Sequence, residues 1–371
     1  MGKNEQMAKT DNHNKKIREM YSLLIMISTP KKVEEMANYA LANGADGAFF
    51  SYARGTIPNS ILSLLGLAGI KREIAVLSVP KSIASPLLGD LNQRFNLAEK
   101  LGGIAYLVSL EQTKAPIDND LERTHSVIAT IVNEGEGEDV VEYVRRRFHV
   151  GATILYASGS ADHSKKIFNF EIVPKKEIVL MVSKKNFCEA IFRTIHDSLR
   201  TELPGRGIIF ATDLDEVAGI FEKDRRSDKT FIETENVQST GSIIHNAESE
   251  TLPSADSNKL SKTGIRDVPH QIAVLVLVDR GHTGAIIRLA EAVGSRGATI
   301  MRGRFKEQES RGFLSHTGDI GKEAIIMIAS KETALDILRQ IHQYTATHPE
   351  LHILLTWMRI HSFSRFSYGV E

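Results

Sequence analysis

The chain has 371 residues, and its 46 basic and 46 acidic side chains leave no formal net charge, so bulk charge favours neither nucleic acid nor an anionic membrane as a partner. The single cysteine, Cys188, excludes an intramolecular disulfide framework and fits a reducing compartment. Residues 1–16 lack the apolar core of a signal peptide, and no stretch approaches the ~20 apolar residues that span a bilayer. We therefore expect a cytoplasmic protein that is not an integral membrane protein.

Short apolar runs and helical patterns alternate along the first part of the chain. A β-branched run at residues 21–27 predicts a buried strand, and apolar side chains at helical spacing predict a helix over residues 30–41. Further strands are predicted over residues 48–53, 74–79 and 104–110, with a second helix before the last of them. The predicted order is βαββαβ.

The same order returns twice at near-constant spacing. A glycine opens each second strand and a glutamate follows it after 26 residues, in the pairs Gly47 and Glu73, Gly151 and Glu177, Gly297 and Glu323. A fixed internal period indicates one structural unit that has been copied. The matching strands are predicted over residues 127–132, 152–157, 178–182 and 208–212 in copy two, and over residues 272–278, 298–303, 324–329 and 353–358 in copy three. We expect an α+β protein of three tandem ferredoxin-like βαββαβ domains, packed as an intramolecular pseudo-trimer.

The repeats also define the predicted domain boundaries. A disordered tail is assigned to residues 1–18, the first domain to residues 19–113, a connector to residues 114–123 and the second domain to residues 124–223. The following stretch is rich in Ser, Thr, Asn, Asp and Glu, and it cannot bury enough apolar surface to offset its ordering entropy. It is therefore predicted to be a disordered linker, residues 224–268, before a degenerate third domain, residues 269–366, and a tail, residues 367–371.

Two kinds of loop could carry function. The loop between the second and third strands keeps its length in all three copies, at residues 54–72, 158–176 and 304–322. Long loops in compact domains are often functional, although a tolerated surface loop is the alternative. The glycines before the fourth strand, Gly102-Gly103 and Gly205-Arg206-Gly207, let backbone N–H groups converge on an anion, and the arginine suits a phosphate. A tight turn that enters a strand is the alternative there.

Taken together, these residues resemble a known family. The stretch from Pro204 to Phe210, with Gly151-Ala152-Thr153-Ile154 and Lys176-Glu177-Ile178 upstream, is similar to the P-II nitrogen-regulatory signal proteins. Copy one carries a matching pattern from Gly47 to Thr56, followed by Arg72-Glu73-Ile74. The resemblance covers copies one and two end to end, and it is weaker in copy three.

The resemblance implies βαββαβ units that form compact trimers and bind ATP or ADP as an effector in the clefts between neighbours, with no catalytic cofactor. The glycine loop before strand four would cradle the phosphates. The long loop after strand two, called the T-loop, would dock on a target protein such as a transporter, an enzyme or a transcription regulator. By position, the implied nucleotide-binding residues are Arg54, Gly55, Thr56, Lys71, Arg72, Gly102, Gly103, Gly159, Lys175, Lys176, Gly205, Arg206 and Gly207.

The expected function is that of a P-II-like signal-transduction regulator of nitrogen utilisation, a monomer that is not an enzyme. A ferredoxin-like module that senses an amino acid or a metal without nucleotide is the alternative. The sequence contains no HExxH motif. Pro349 and Glu350 replace the glycines in copy three, so we expect little phosphate binding there. Asp213 and Asp215, just before Glu216, are predicted to cap a helical turn.

Overall fold

The computed structural model describes residues 20–56, 69–99, 102–110, 123–160, 166–167, 170–171, 173–199, 207–220, 271–307 and 320–366. All of them fall within one compact unit that comprises Met1–Ile220 and Asp267–Glu371. The predicted tails at residues 1–18 and 367–371 and the predicted linker at residues 224–268 lie outside the described residues.

The described residues form a mixed α+β fold with six helices and antiparallel strand ladders, which confirms the expected α+β class. In copy one the elements are β1 (Tyr21–Ser28), α1 (Pro30–Ala42), β2 (Asp46–Thr56), β3 (Gly69–Pro80), α2 (Lys81–Phe95) and β4 (Ile104–Ser109). In copy two they are β5 (His125–Asn133), α3 (Gly137–Arg145), β6 (Ala152–Gly159), β7 (Lys166–Ile167), β8 (Phe170–Glu171), β9 (Lys175–Lys184), α4 (Lys185–Ser198), β10 (Gly207–Leu214) and β11 (Glu216–Ala218). In copy three they are β12 (Gln271–Asp279), α5 (Thr283–Ala292), β13 (Thr299–Lys306), β14 (Ile320–Ser330), α6 (Lys331–Thr347), β15 (Leu354–Arg359) and β16 (Ser362–Phe366).

The four main strands of each copy pair in one order. In copy one, β1 lies between β4 and β3, and β2 pairs with the outer side of β3. In copy two, β5 lies between β10 and β9, and β6 follows β9. In copy three, β12 lies between β15 and β14, and β13 follows β14. The first strand of every copy is therefore central, which explains its continuous apolar sequence.

Each copy packs two helices against one face of its strands. The helix residues that reach this layer in copy one include Val33, Met36 and Leu88, and all three are buried. Separate clusters of the same kind are built around Val140 and Ile191 in copy two and around Ile286 and Ile337 in copy three. Apolar residues at helical spacing thus bury one stripe of each helix, as the sequence pattern predicts.

The opposite faces of the strands share a single apolar cluster. This cluster combines Phe49 and Tyr106 from copy one, Leu155 and Phe210 from copy two, and Met301 from copy three, together with many smaller side chains. The strands of each copy therefore have two buried faces, one under their own helices and one against the other copies. Burial on both faces accounts for the lack of polar alternation in the central strands.

Two short strands join one copy to the next. Strand β11 follows copy two but pairs with β4 of copy one, and β16 follows copy three but pairs with β10 of copy two. The prediction that Asp213 and Asp215 cap a helical turn is wrong, because Asp213 lies in β10 and a strand begins at Glu216. Asp215 instead accepts hydrogen bonds from Ser109 at 2.5 Å and Arg123 at 3.1 Å. These contacts hold the end of copy two against copy one.

The observed strands are longer than the predicted ones where ladders continue past the apolar residues. Strand β2 extends to Thr56, because Arg54 and Gly55 still pair with Lys71 and Ile70 of β3. The predicted loop at residues 158–176 contains the short hairpin of β7 and β8. Most residues of the three predicted T-loops lie outside the described part of the chain.

Candidate functional site

The second strands of the three copies meet one another in a repeated register. In each contact, the residue seven positions after the repeat glycine faces the residue three positions after the glycine of the next copy. The facing pairs are Arg54 with Ile154, Ser158 with Ile300, and Arg304 with Phe50. We call these contacts junction 1–2, junction 2–3 and junction 3–1, after the copies that they join. The same local geometry is therefore built three times from different side chains.

A buried glutamate lies beside each junction. Glu73, Glu177 and Glu323 are 3%, 1% and 7% exposed, and they stand at equivalent positions on the third strand of each copy. A buried carboxylate is costly unless it is paired with a cation or accepts hydrogen bonds. The source of the cation differs among the three junctions.

At junction 1–2 the cation comes from the neighbouring copy. Arg54 of copy one places Nη2 2.9 Å from Oε1 of Glu177 in copy two, and its Nε lies 3.7 Å from Glu138. The guanidinium also lies 5.8 Å from the ring centroid of Tyr156. The backbone N–H of Gly137 donates to Glu177 at 2.9 Å. Arg54, predicted as a nucleotide contact, is thus engaged in an ion pair between copies.

Junction 3–1 repeats this arrangement. Arg304 of copy three donates from Nη2 to both carboxylate oxygens of Glu73 in copy one, at 3.2 and 3.1 Å. Glu34 lies 3.9 Å away, and the ring centroid of Phe50 lies 4.0 Å from the guanidinium carbon. Arg54 and Arg304 are only about one quarter exposed.

Junction 2–3 departs from the pattern. Copy two carries Ser158 in place of the arginine, so the cation beside Glu323 is Arg302 of the same copy, at 3.2 Å. Thr283 donates its hydroxyl to the other oxygen of Glu323. Arg302 is 73% exposed, unlike the two arginines that cross the other junctions.

The other predicted residues of the first T-loop base lie near junction 1–2. Thr56 accepts hydrogen bonds from Arg145 of copy two, at 2.7 Å on its hydroxyl and 3.0 Å on its carbonyl. A Cβ on Gly55 would stand 3.2 Å from the side chain of Arg72. Burial lowers the pKa of Arg72, and its Nη1 is buried without a hydrogen-bond partner. Lys71 is exposed.

The glycines of copy one form a filled turn. Cβ atoms on Gly102 and Gly103 would stand 2.5 Å from the carbonyl oxygen of Asn96 and 2.7 Å from that of Ile27. A Cβ on Gly219, which follows β11, would stand 2.3 Å from the Gly103 carbonyl oxygen. Backbone therefore packs on this turn from both copies, which explains the glycines without a ligand.

In copy two the predicted basic residues lie at one end of the sheet. Lys176 donates to Asn133 at 2.7 Å, and burial lowers its pKa although Glu136 acts in the opposite direction. Lys175 is exposed and pairs with Glu134 at 3.2 Å. Gly159, at the end of β6, donates its N–H to the Pro174 carbonyl at 2.8 Å.

Gly207 begins β10 at the same end of this sheet. Its φ is +156°, and a Cβ there would stand 2.0 Å from the carbonyl oxygen of Ile131, so close approach of β5 requires glycine. Gly205 and Arg206 lie outside the described residues. The structure adds Arg365 of β16, which stands opposite Ile208 and next to Gly207 in the ladder. Burial and the positive charge of Arg296 lower the pKa of Arg365.

Sequence reasoning missed Arg365 and Arg296, because neither belongs to the glycine motif. Only the pairing of β16 with β10 brings a copy-three arginine to the copy-two glycine. Within the described part of the chain, neither arginine forms an ion pair. Two cations that interact electrostatically without an acidic partner favour binding of an anion.

Other site chemistries find little support in the part of the chain that the structure describes. No group of three His, Cys, Asp or Glu residues there could hold a metal ion. Cys188 is 3% exposed, and burial raises its pKa to about 11, so little thiolate exists at neutral pH. No helix among the described residues is both long and apolar enough to cross a membrane.

Comparisons with known proteins identify no family. No family model matches the chain, and no curated protein matches it. An aspartate kinase from Synechocystis aligns at 8% identity and a TM-score of 0.20, covering 91% of this chain and 43% of the kinase. An anthrone oxidase-like protein aligns at 10% identity and a TM-score of 0.17, covering 54% of this chain and 92% of that protein. The chain thus spans less than half of the aspartate kinase, and likenesses this weak carry no argument about function.

Proposed function

We propose that the chain is a P-II-like signal-transduction regulator built from three ferredoxin-like units that pack as an intramolecular pseudo-trimer. The common strand order of the copies supports this proposal. So does the repeated register at the three junctions, where Arg54, Ser158 and Arg304 occupy equivalent positions. A register that closes after three steps is what a cyclic trimer would show if its subunits were joined in one chain.

The effector in this proposal is an adenine nucleotide, ATP or ADP. The observation that carries it is the position of Arg365 in the ladder opposite Ile208, next to Gly207, together with the electrostatic interaction between Arg365 and Arg296. Arginine offers a planar fork of N–H donors that matches phosphate oxygens.

The output in this proposal is regulation of a target protein rather than catalysis. The T-loops at residues 54–72, 158–176 and 304–322 would dock on a transporter, an enzyme or a transcription regulator in the cytoplasm. Their bases lie at the junctions, since Arg54, Ser158 and Arg304 are the first residues of the three loops. Occupancy of a junction by a ligand is thereby coupled to the position of a T-loop. Regulation of nitrogen utilisation is the expected context.

The second candidate is a ferredoxin-like sensor of an amino acid or a metal. It would use the same junctions without a phosphate site. The unpaired cations Arg296 and Arg365 favour the nucleotide, because an amino acid brings one carboxylate whereas ATP brings several phosphate charges.

Calorimetric titration of the full chain separates these functions. We expect ATP or ADP to bind, while cyclic AMP and amino acids bind far more weakly. Replacement of Arg365 by alanine should weaken nucleotide binding by about 1–3 kcal/mol, because a charge-assisted contact is lost. Arg147→Ala, an exposed position before the start of β6, is the matched control and should leave binding unchanged. Amino-acid binding without any nucleotide binding would establish the second candidate instead.

A further inference from the structure

The three junctions differ in what fills them. At junctions 1–2 and 3–1, Arg54 and Arg304 cross from the neighbouring copy and lie against two carboxylates and an aromatic ring. At junction 2–3 the short side chain of Ser158 stands in the same register. A guanidinium from the neighbouring copy therefore occupies two junctions, whereas junction 2–3 has only Arg302 of its own copy.

The helix beside junction 2–3 has also changed its charge. The residue thirteen positions before the repeat glycine is Glu34 in copy one and Glu138 in copy two. Both carboxylates lie within 4 Å of the arginine that crosses their junction. In copy three this position is Gly284. Four residues further along the helix, Asn38 and Glu142 correspond to Arg288. An anion at junction 1–2 or 3–1 would meet helix carboxylates, whereas at junction 2–3 it would meet a cation.

The two cations of copy three converge on the start of α5. Arg302 contacts Glu323 through Nε at 3.2 Å, and Thr283 contacts the same carboxylate. Gly284 follows Thr283 in the helix, and a Cβ on Gly284 would stand 3.4 Å from Nη1 of Arg288. Arg288 is exposed and makes no ion pair with a described residue. Glu323 is buried, whereas Arg288 and Arg302 are exposed. The solvent-facing side of this cluster is therefore cationic.

An independent difference appears beside the glycines that precede the fourth strands. Gly219 and Arg365 occupy equivalent positions, 68 residues after the repeat glycine of their own copies. Gly219 packs on the Gly103 turn of copy one, whereas Arg365 stands opposite Ile208 near the start of β10 in copy two. The change again adds a cation where copies two and three meet.

We propose that junction 2–3 alone binds the anionic ligand, so that each chain takes one phosphate-bearing molecule rather than three. This proposal rests on the proposed function for the identity of the ligand, and it assigns that function to a single cleft. Arg288 and Arg302 contact the anion, and Ser158 leaves the space that Arg54 and Arg304 fill elsewhere. The other two junctions act as permanent ion-pair contacts that hold the copies together.

Calorimetry of the full chain with ATP tests the stoichiometry, and the expected value is one molecule per chain. Arg288→Asn installs the residue that copy one has at this position, and it should weaken ATP binding at least tenfold. A triple variant, Ser158→Arg with Gly284→Glu and Arg302→Tyr, rebuilds junction 2–3 in the pattern of junction 1–2. It should remain folded by circular dichroism and bind no ATP. Arg147→Ala serves as the unchanged control.

The outcomes separate this proposal from the proposed function. Three molecules of ATP per chain, or full affinity in Arg288→Asn, would overturn the single-cleft assignment while leaving nucleotide sensing intact. If the triple variant fails to fold, Arg288→Asn decides. If ATP does not bind, the chain is titrated with inorganic pyrophosphate. Pyrophosphate binding that depends on Arg288 would support the anion cleft and refute the nucleotide, and no binding of either would refute both.

Discussion

At the scale of single residues, equivalent positions have taken different roles. Arg54 and Arg304 neutralise buried glutamates of a neighbouring copy, whereas Arg302 neutralises the glutamate of its own copy. A copied gene segment permits this divergence, because a substitution in one copy need not fit all three junctions. The positions of these arginines are visible in the aligned repeats. The partners of Arg54 and Arg304 were not predictable, because each lies in another copy and only the strand register brings it close.

The glycines show the same limit of sequence reasoning. Gly207 belongs to the predicted phosphate loop, yet a side chain there would meet the carbonyl oxygen of Ile131 at 2.0 Å. The close approach of two strand backbones is therefore sufficient to require glycine. A β-branched substitution at Gly207 would disturb the pairing of β10 with β5, so any loss of ligand binding in that variant could come from the altered fold.

Two glycine-to-alanine variants should consequently have opposite effects on stability. Gly207→Ala should lower the free energy of unfolding by more than about 2 kcal/mol, because strand β5 must move. Gly89 lies within α2 and has nothing within 4 Å of an added Cβ, so Gly89→Ala should raise it by roughly 0.5–1 kcal/mol through helix propensity. Urea unfolding of both variants provides the measurement. Equal effects would show that backbone crowding at Gly207 has been overstated.

At the scale of elements, the long strands and helices follow directly from the sequence. The apolar run at residues 21–27 became β1, and the helical pattern at residues 30–41 became α1. Strands β11 and β16 were missed, because each is short and mixes polar with apolar residues. Their pairing edges belong to other copies, and local propensity contains no information about those edges.

A polar cluster fixes β16 to copy two. Asp213 accepts from Ser126 and Lys185 at 2.8 Å, and Nε2 of His361, just before β16, lies 3.3 Å from it. Burial would raise the pKa of Asp213, but the contacts from Lys185, Ser126 and His361 outweigh that effect and lower it. The pKa of His361 is lowered by burial, despite the opposing charge of Asp213.

The pH dependence of this cluster can be predicted with its sign. Because the pKa of Asp213 in the fold is below its usual value of 3.8, its stabilisation is present above that pH and is lost as the pH falls further. Asp213→Asn should lower the free energy of unfolding by about 1–2 kcal/mol at pH 7 and by much less at a pH well below 3.8. Urea unfolding at pH 7 and well below pH 3.8 measures this, with Asp336→Asn, which changes a half-exposed carboxylate of α6, as the control. A constant difference between wild type and Asp213→Asn would contradict the charged-cluster explanation.

At the scale of the whole molecule, the three copies share one apolar cluster and exchange strands. Phe49, Leu155 and Met301 pack together from different copies, so removal of one copy would expose apolar surface on the other two. Covalent linkage raises the effective concentration of each copy at this common core. Assembly within one chain is therefore favoured over assembly between chains at ordinary protein concentrations.

We accordingly expect the chain to be a monomer in solution, because its own three copies supply the contacts that a trimer of separate subunits would make. Light scattering coupled to size-exclusion chromatography should give the mass of one chain. An Arg304→Glu variant should disturb this state, since it places a carboxylate against the buried Glu73 of copy one and leaves that group without its cation. We expect the variant to elute earlier or to self-associate, whereas Arg339→Glu, at an exposed position of α6, should behave as wild type. A stable wild-type mass of three chains would refute the intramolecular arrangement.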